Sequence, residues 1–331
     1  LYSWDRLFQP ARTVLTIHNI AYQGVAPAGV VEATGVDPGL FDSRDLREGR
    51  VNFLKTGIAY ADRLTTVSPT YALEIQTEAQ GYGLNPFLRS RAAELTGILN
   101  GVDYDEWDPS KDRFIRARYS ARSLHRKKTN KNALLERVGL PFEDAVPLVG
   151  MVTRLSHQKG IETLFDSLPA VLERHSVELV VLGTGEARYE GFFEDLQNRF
   201  SDRARFLRGF DEELAHWIEA GADLFLMPSR YEPCGLNQMY SLRYGTVPVV
   251  RRTGGLADSV RPFDPNTGEG TGIVFDHFDA SAVVWALEAA IGLFRDRELW
   301  RRLVSNGMKE DFSWDRQAEL YLAIYRELLI D

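Results

Sequence analysis

Three charged side chains stand at the ends of two apolar runs, where they could do chemistry. Arg154 ends the run "LVGMVTR" (148–154) and Lys159 follows it, while Glu232 follows the run "DLFLMPS" (223–229). In open α/β sheets, ligands bind beyond the carboxyl ends of the strands. A guanidinium and an ammonium at that edge suit a diphosphate, because both stabilise the charge that grows on a leaving phosphate. The spacing therefore indicates an anion site near Arg154 and Lys159.

The segment "SRYEPCGLNQMY" (229–240) indicates a second anion site. Pro233 and Gly235 favour a fixed turn that leads into a helical pattern, and the N–H groups at a helix start attract anions. Glu232 stands just before that turn, where it would lie beside a bound sugar or phosphate.

Each of these residues also has a simpler explanation. Arg154 and Lys159 could be surface cations, and the residues alone do not decide between the two interpretations. Glu232 could stabilise the dipole of the following helix, and Cys234 could be a small buried residue. When each residue is considered alone, these structural explanations of Glu232 and Cys234 are favoured over a role in binding.

The elements that must position these side chains alternate along the chain. Between the apolar runs lie patterns of helical period, which predicts an α/β fold with a parallel, doubly wound sheet in the second half. Runs without polar alternation indicate strands that are buried on both faces. The predicted strands lie within 13–18, 63–68, 148–154, 178–183, 223–229 and 246–252.

Three regions are predicted: an incomplete first domain with a linker (1–145), a second α/β domain (146–310) and a carboxyl-terminal helix (311–331). The basic stretch 111–137 is typical of a solvated linker or helix, although nucleic-acid contact is an alternative. The last region indicates an amphipathic helix. Its apolar stripe would comprise Ala318, Leu320, Tyr321, Ile324, Tyr325 and Leu328.

Composition narrows the possible functions. The formal charge of -8 argues against a general nucleic-acid or membrane-surface binder. A single cysteine excludes an intrachain disulfide and fits a reducing compartment, and no apolar stretch reaches the length of a membrane span. We therefore expect a cytoplasmic protein, with no nucleic acid or membrane among its partners. The sequence does not indicate an oligomeric state.

Two classes of cofactor site are weakly supported or absent. Gly183 and Gly185 follow an apolar run, but Arg188 stands where a dinucleotide-binding fingerprint needs glycine or alanine. The six histidines show no metal-ligand spacing with one another or with Cys234. No cofactor and no metal are expected.

Six motifs together carry a resemblance to a known family. They are "TIHNIAYQG" (16–24), "TTVSPTYALEI" (65–75), "GILNGVDYDEWDP" (97–109), "TRLSHQKG" (153–160), "SRYEPCGLNQ" (229–238) and "RRTGGLADSV" (251–260). In this order along the chain, these motifs resemble the bacterial glycogen synthase and plant starch synthase family. The resemblance implies the GT-B architecture of two Rossmann-like domains, of which 146–310 would bind the nucleotide sugar, with the final helix crossing back to the first. It also implies a retaining transfer of glucose from ADP-glucose to the non-reducing 4-hydroxyl of an α-1,4-glucan, without a metal.

The resemblance also implies roles for individual residues. Arg154 and Lys159 would stabilise the departing ADP, Glu232 would bind hydroxyls of the transferred glucose, and His18 would lie by the anomeric centre. The remaining residues would bind the donor, with the Phe210 ring stacked on adenine. They are Asn100, Gly209, Phe210, Cys234, Gly235, Leu236 and Asn237.

The chain also departs from the family pattern. A Lys-x-Gly-Gly loop and an "HDWH"-like segment, which the family places earlier, do not occur, so the chain is expected to begin inside the first domain. A catalytically silent fragment that only binds nucleotide or glucan is therefore the alternative function, and a UDP-glucose donor is the alternative substrate. Asn237 stands where threonine is more usual. Tyr240 stands where a related GT-B family has a second glutamate, which favours the glycogen synthase family.

Overall fold

The computed structural model describes Arg6, Phe8 and residues 10–330. The described chain divides into two compact units. Residues up to Asn100, together with those from Gln317 onward, form the first unit, and residues 101–316 form the second.

A six-stranded parallel sheet forms the centre of the second unit. Its strand order is β11-β10-β9-β6-β7-β8, so the chain starts in the middle and builds outward in both directions. The four strands predicted for this half are confirmed. The two outermost strands were missed, because "ARFLR" has arginine at two of its five positions and "IVF" has only three residues. The strands are β6 (Leu148–Leu155), β7 (Glu178–Gly185), β8 (Ala204–Arg208), β9 (Leu224–Met227), β10 (Val247–Arg251) and β11 (Ile273–Phe275).

Helices cover both faces of this sheet. Alternate residues of one strand enter different cores: Val149 and Met151 of β6 pack with one group of helices, and Leu148 packs with the other. Successive side chains of a strand point to opposite faces, which explains why these strands are continuously apolar. The helices are α6 (Lys127–Val138), α7 (Leu164–Arg174), α8 (Ala187–Arg199), α9 (Glu212–Gly221), α10 (Asn237–Tyr244), α11 (Gly254–Ser259), α12 (Ala280–Arg295) and α13 (Arg297–Gly307).

The first unit contains a smaller parallel sheet and an antiparallel strand pair. The parallel sheet has the order β1-β4-β5, and β2 pairs with β3. Its strands are β1 (Val14–Ile17), β2 (Val25–Pro27), β3 (Arg50–Asn52), β4 (Arg63–Thr66) and β5 (Leu95–Gly97). Its helices are α1 (Val30–Thr34), α2 (Ser43–Arg47), α3 (Phe53–Tyr60), α4 (Pro69–Glu74) and α5 (Asn85–Ser90).

The last helix, α14 (Trp314–Ile330), reaches the first unit. Its residues Ile324 and Leu328 pack with Ile98 of that unit. The predicted apolar stripe is partly wrong, because Leu320 and Tyr325 are exposed. The buried face instead follows the spacing of Tyr321, Ile324 and Leu328, to which the buried Gln317 adds a polar residue.

The basic stretch before β6 is solvated along much of its length and includes α6, as its composition predicted, but two of its lysines are buried. Lys127 is buried and donates hydrogen bonds to the carbonyl oxygens of Glu219 and Ala220. Lys131 is buried as well, with its Nζ 2.6 Å from Asp223 Oδ2. Residues 101–145 belong to the second unit, whereas the prediction grouped them with the incomplete first domain and its linker (1–145). Charge counted along the sequence misses the burial of the two lysines, because the pairing carboxylate and carbonyls come from distant elements.

Among the described residues, no helix is both long and apolar enough to cross a membrane.

Candidate active site

A cavity of about 180 Å³ lies at the carboxyl edge of the large sheet. Its walls come from the last residues of β6, the end of β9 and the start of α10. The neighbouring strands β6 and β9 lie at the centre of the sheet, where the direction of strand addition reverses. Such a reversal point is where open α/β sheets bind ligands. Five predicted site residues line this cavity: Arg154, Lys159, Gly235, Leu236 and Asn237.

Glu232 reaches this site through an ion pair with Lys159. The Lys159 Nζ lies 2.6 Å from Glu232 Oε2, and the hydroxyl of Ser229 donates to the same oxygen at 3.0 Å. Glu232 is only 5% exposed, so its carboxylate is held between an ammonium and a hydroxyl rather than in solvent. Ser229 was not singled out from the sequence, although it stands three residues before Glu232.

A glycine brings the Lys159 loop onto the end of β9. Gly160 has a φ of +70°, and a Cβ at this position would lie 2.0 Å from the carbonyl oxygen of Pro228. No other residue fits such a close backbone approach without moving the loop. Because the loop after β6 rests directly on the residue after β9, Lys159 is brought within reach of Glu232.

The start of α10 is fixed to β6 by a side chain. The Asn237 amide donates to the carbonyl oxygen of Val152 at 2.7 Å. Gly235, with a φ of +72°, makes the turn into the helix. The first N–H groups of a helix have no acceptor within it, and here they border the cavity that Arg154 and Lys159 line. Two basic side chains and a helix start therefore surround one small volume.

Cys234, like Glu232, does not line the cavity itself. It is 5% exposed, and its carbonyl oxygen accepts a hydrogen bond from the side chain of Gln238 at 3.1 Å. The start of α11 passes close to it, because a Cβ on Gly255 would lie 2.1 Å from the same carbonyl oxygen. The simpler explanation of Cys234, a small residue in a tightly packed turn, matches this position.

Gly209 and Phe210 lie at the same edge of the sheet, directly after β8. The Gly209 N–H donates to the carbonyl oxygen of Gly183 at 3.1 Å, and its φ of +133° turns the chain away from the sheet. Phe210 is 87% exposed. A large apolar ring held in solvent by its backbone is available to stack on a planar ligand.

His18 and Asn100 belong to the first unit. His18 is exposed and follows β1, and Asn100 lies shortly after β5. Both strands flank β4 in the parallel sheet, so the two residues follow the carboxyl ends of strands. Neither residue lines the cavity of the second unit, and their predicted roles stay predictions.

The tertiary structure also assembles a group that no spacing indicated. Ligand atoms of Glu106, Glu212 and His216 all lie within 4.8 Å of one another. Glu212 and His216 stand one helical turn apart on α9, but Glu106 comes from a distant turn. The group has only one histidine and no cysteine, so the spacing of these residues along the sequence does not indicate it.

Two family descriptions match the chain. "Starch synthase catalytic domain" matches residues 1–90, and "Glycosyl transferases group 1" matches residues 135–310. A glycogen synthase of Anaeromyxobacter dehalogenans is 52% identical over 325 residues, which is 98% of this chain and 68% of the relative. A glycogen synthase of Anaeromyxobacter sp. (strain Fw109-5) is 51% identical with the same coverage. The solved catalytic domain of starch synthase IV from Arabidopsis thaliana, bound to ADP and acarbose, is 37% identical with a TM-score of 0.92, and the match covers 100% of this chain and 70% of the solved one.

Proposed function

This chain belongs to the glycogen and starch synthase family of GT-B hexosyltransferases, and we propose that it moves glucose from ADP-glucose to the non-reducing 4-hydroxyl of an α-1,4-glucan. The observation that carries this proposal is the cavity of the second unit. It is bordered by the guanidinium of Arg154, the ammonium of Lys159 and the start of α10. These groups suit the diphosphate of a nucleotide sugar.

In the proposed reaction, the bond between the anomeric carbon of glucose and the diphosphate oxygen breaks. A new bond forms between that carbon and the 4-hydroxyl oxygen of the glucan. The proton of the hydroxyl passes to the departing phosphate oxygen, and ADP leaves. At the anomeric carbon, one bond to oxygen breaks and one forms, so no group is oxidised or reduced. Arg154, Lys159 and the α10 N–H groups stabilise the negative charge that develops on the diphosphate.

The arrangement of carboxylates supports retention by attack on the same face. A retaining hydrolase uses two carboxyl groups about 5 to 5.5 Å apart, one of them as the nucleophile. Among the described residues, none of those lining this cavity is a carboxylate, and the nearby Glu232 is held by Lys159 and Ser229. In this mechanism Glu232 is not the nucleophile: it binds and orients the sugar. The leaving phosphate accepts the proton of the incoming hydroxyl on the same face.

Adenine is the proposed base of the donor. The exposed ring of Phe210 follows β8 and offers a stacking surface. The starch synthase IV structure holds ADP, which supports the same nucleotide here over UDP. We further propose that transfer needs no metal or other cofactor, since basic side chains neutralise the diphosphate, and that it takes place in the cytoplasm.

The experiment that tests this function is incorporation of labelled glucose into glycogen by this 331-residue chain, with ADP-glucose and UDP-glucose supplied in parallel. Transfer from ADP-glucose, with much less from UDP-glucose, is the expected result. Preference for UDP-glucose would overturn the proposed donor. If the folded chain binds ADP but transfers nothing, the silent binding fragment becomes the function of this chain.

A further inference from the structure

The group formed by Glu106, Glu212 and His216 lies in the second unit and lines no part of the cavity bordered by Arg154. Glu212 and His216 project from one face of α9, in its first and second turns. Glu106 comes from a tight turn in which the Trp107 N–H donates to the Asp103 carbonyl oxygen at 2.9 Å. Two chain segments therefore converge on one point.

The two nitrogens of the His216 imidazole have different surroundings. The ring is fully buried, and Nδ1 lies 2.8 Å from Asp112 Oδ2. The hydroxyl of Tyr244 donates to the same carboxylate oxygen at 2.6 Å. Among the described residues, Nε2 has no hydrogen-bond partner, although it is buried. A buried polar atom without a partner is rare in folded proteins and calls for a ligand.

The ring is also held in a single orientation. Trp107 stacks on His216 with ring centroids 3.8 Å apart and planes 13° apart. Together with the Asp112 contact, this stacking keeps Nδ1 on Asp112 and leaves Nε2 as the ring nitrogen that can bind a ligand. A histidine that binds a metal through one nitrogen normally donates its other N–H to a carboxylate, which sets the tautomer. Asp112 occupies that position.

The two carboxylates face each other at the surface. Both side chains are exposed, and their ligand oxygens lie within 4.8 Å of each other. Two carboxylates at this distance repel each other when both are ionised. A divalent cation between them would remove that repulsion, and their exposure leaves them free to close onto it.

We propose that Glu106, Glu212 and His216 bind a divalent transition-metal ion of the zinc class. Zinc binds both imidazole nitrogen and carboxylate oxygen, whereas Mg²⁺ prefers oxygen ligands alone. Water would complete the coordination at the exposed side. The ion would join the turn at 103–107 to the first turn of α9, just after the loop that carries Phe210. It would stabilise this region and take no part in the transfer of glucose.

The test is a titration of the chelator-treated full chain with Zn²⁺, followed by calorimetry and, with Co²⁺, by visible absorption. We expect one site whose affinity falls at least about tenfold in Glu106→Gln and in Glu212→Gln. Both side chains are exposed, so these variants should fold normally. Glu213→Gln is the matched control, because it removes the same charge from the same turn of α9 outside the group.

Two further measurements sharpen the test. Co²⁺ bound to this set should give a visible band that both glutamine variants weaken and Glu213→Gln leaves unchanged. Mg²⁺ at the same concentration should not compete. No stoichiometric binding of Zn²⁺, or equal losses in the control and in the two variants, would overturn the proposal. The three side chains would then be a proton-sharing cluster that needs no ion.

Discussion

Two lysine–carboxylate pairs in the second unit have the same geometry and different surroundings. Lys159 lies 2.6 Å from Glu232, and Lys131 lies 2.6 Å from Asp223. Neither pair is on the open surface, since the side chains are 19% and 6% exposed in the first and 5% and 15% in the second. Distance and burial therefore do not distinguish the roles of these pairs.

The other partners of each pair do distinguish them. Lys131 also donates to the carbonyl oxygen of Val146 at 2.5 Å, and Asp223 also accepts from the N–H of Leu148 at 2.9 Å. This pair therefore ties α6 to the start of β6. Lys159 instead lines a cavity beside the start of α10, where an anion can share its charge. The first pair is available to a ligand, and the second is occupied by backbone.

The role of a buried ion pair therefore depends on the other groups that its atoms contact. A ligand can compete with Glu232 for the ammonium of Lys159, since Lys159 also lines the cavity. Removal of the Lys131 ammonium leaves a partly buried carboxylate without its counter-charge, which destabilises the fold. Four variants test this contrast.

Lys131→Met should have the largest effect, and it should act on stability. Removal of one partner of a buried ion pair destabilises a protein by about 3 to 5 kcal/mol. The free energy of unfolding, measured with urea, should fall by that amount. Lys128→Met is the control on the same helix, because Lys128 pairs with Asp144 at the surface and should contribute under about 1 kcal/mol. Equal effects in the two variants would contradict the structural role of Lys131.

Arg154→Ala should act on catalysis instead. Removal of one preorganised group that stabilises developing charge lowers kcat by about 10² to 10³, or about 2.7 to 4 kcal/mol. Arg154 is exposed, so the free energy of unfolding should hardly change. Rates of glucose transfer from ADP-glucose measure the effect, with Arg174→Ala as a control at an exposed arginine outside the cavity. Unchanged turnover would remove Arg154 from the mechanism.

Glu232→Gln should have a smaller effect of the same kind. It replaces a charged acceptor of Lys159 and Ser229 with a neutral one of similar shape, and hydrogen bonds to charged groups contribute about 1.5 to 3 kcal/mol. The loss should appear in kcat/KM for ADP-glucose, with a much smaller change in unfolding. If unfolding changed as strongly as in Lys131→Met, the two pairs would be alike and the contrast would be wrong.

Glu219→Gln should have the smallest effect near pH 5, and its effect should appear as a change in how stability depends on pH. Burial raises the pKa of Glu219 to about 8, against hydrogen bonding from Ser241. The folded state therefore holds a proton that the unfolded state releases near pH 4.5, so native stability should fall as pH rises from about 4.5 to 8. The slope is at most about 1.4 kcal/mol per pH unit.

Urea unfolding at pH 5, 6 and 7 should show a shallower loss of stability in Glu219→Gln than in the original chain. This range avoids the opposing effect of Lys127, whose pKa burial lowers to about 7, so that stability rises with pH above that value. Glu213→Gln, at an exposed position, should keep the original slope. Identical slopes in all three proteins would show that Glu219 does not hold the proton.

Patterns along the sequence were enough to predict the larger elements and the main part of the site. Continuous apolar runs identified β6, β7, β9 and β10, because strands covered on both faces need apolar residues at every position. Their carboxyl ends then pointed to Arg154 and Lys159, since parallel strands end at one edge. The ordered motifs indicated the family, to which the glycogen synthase relatives assign the chain.

Which charged side chains contact each other followed from the folded structure alone. The burial of Lys127 and Lys131, the bond from Ser229 to Glu232 and the convergence of Glu106 on His216 all join residues from separate segments of the chain. Periodicity and spacing describe one segment at a time, whereas a buried charge is stabilised by partners from other elements. The local pattern could therefore predict which element carries a lysine, but not which groups its ammonium contacts.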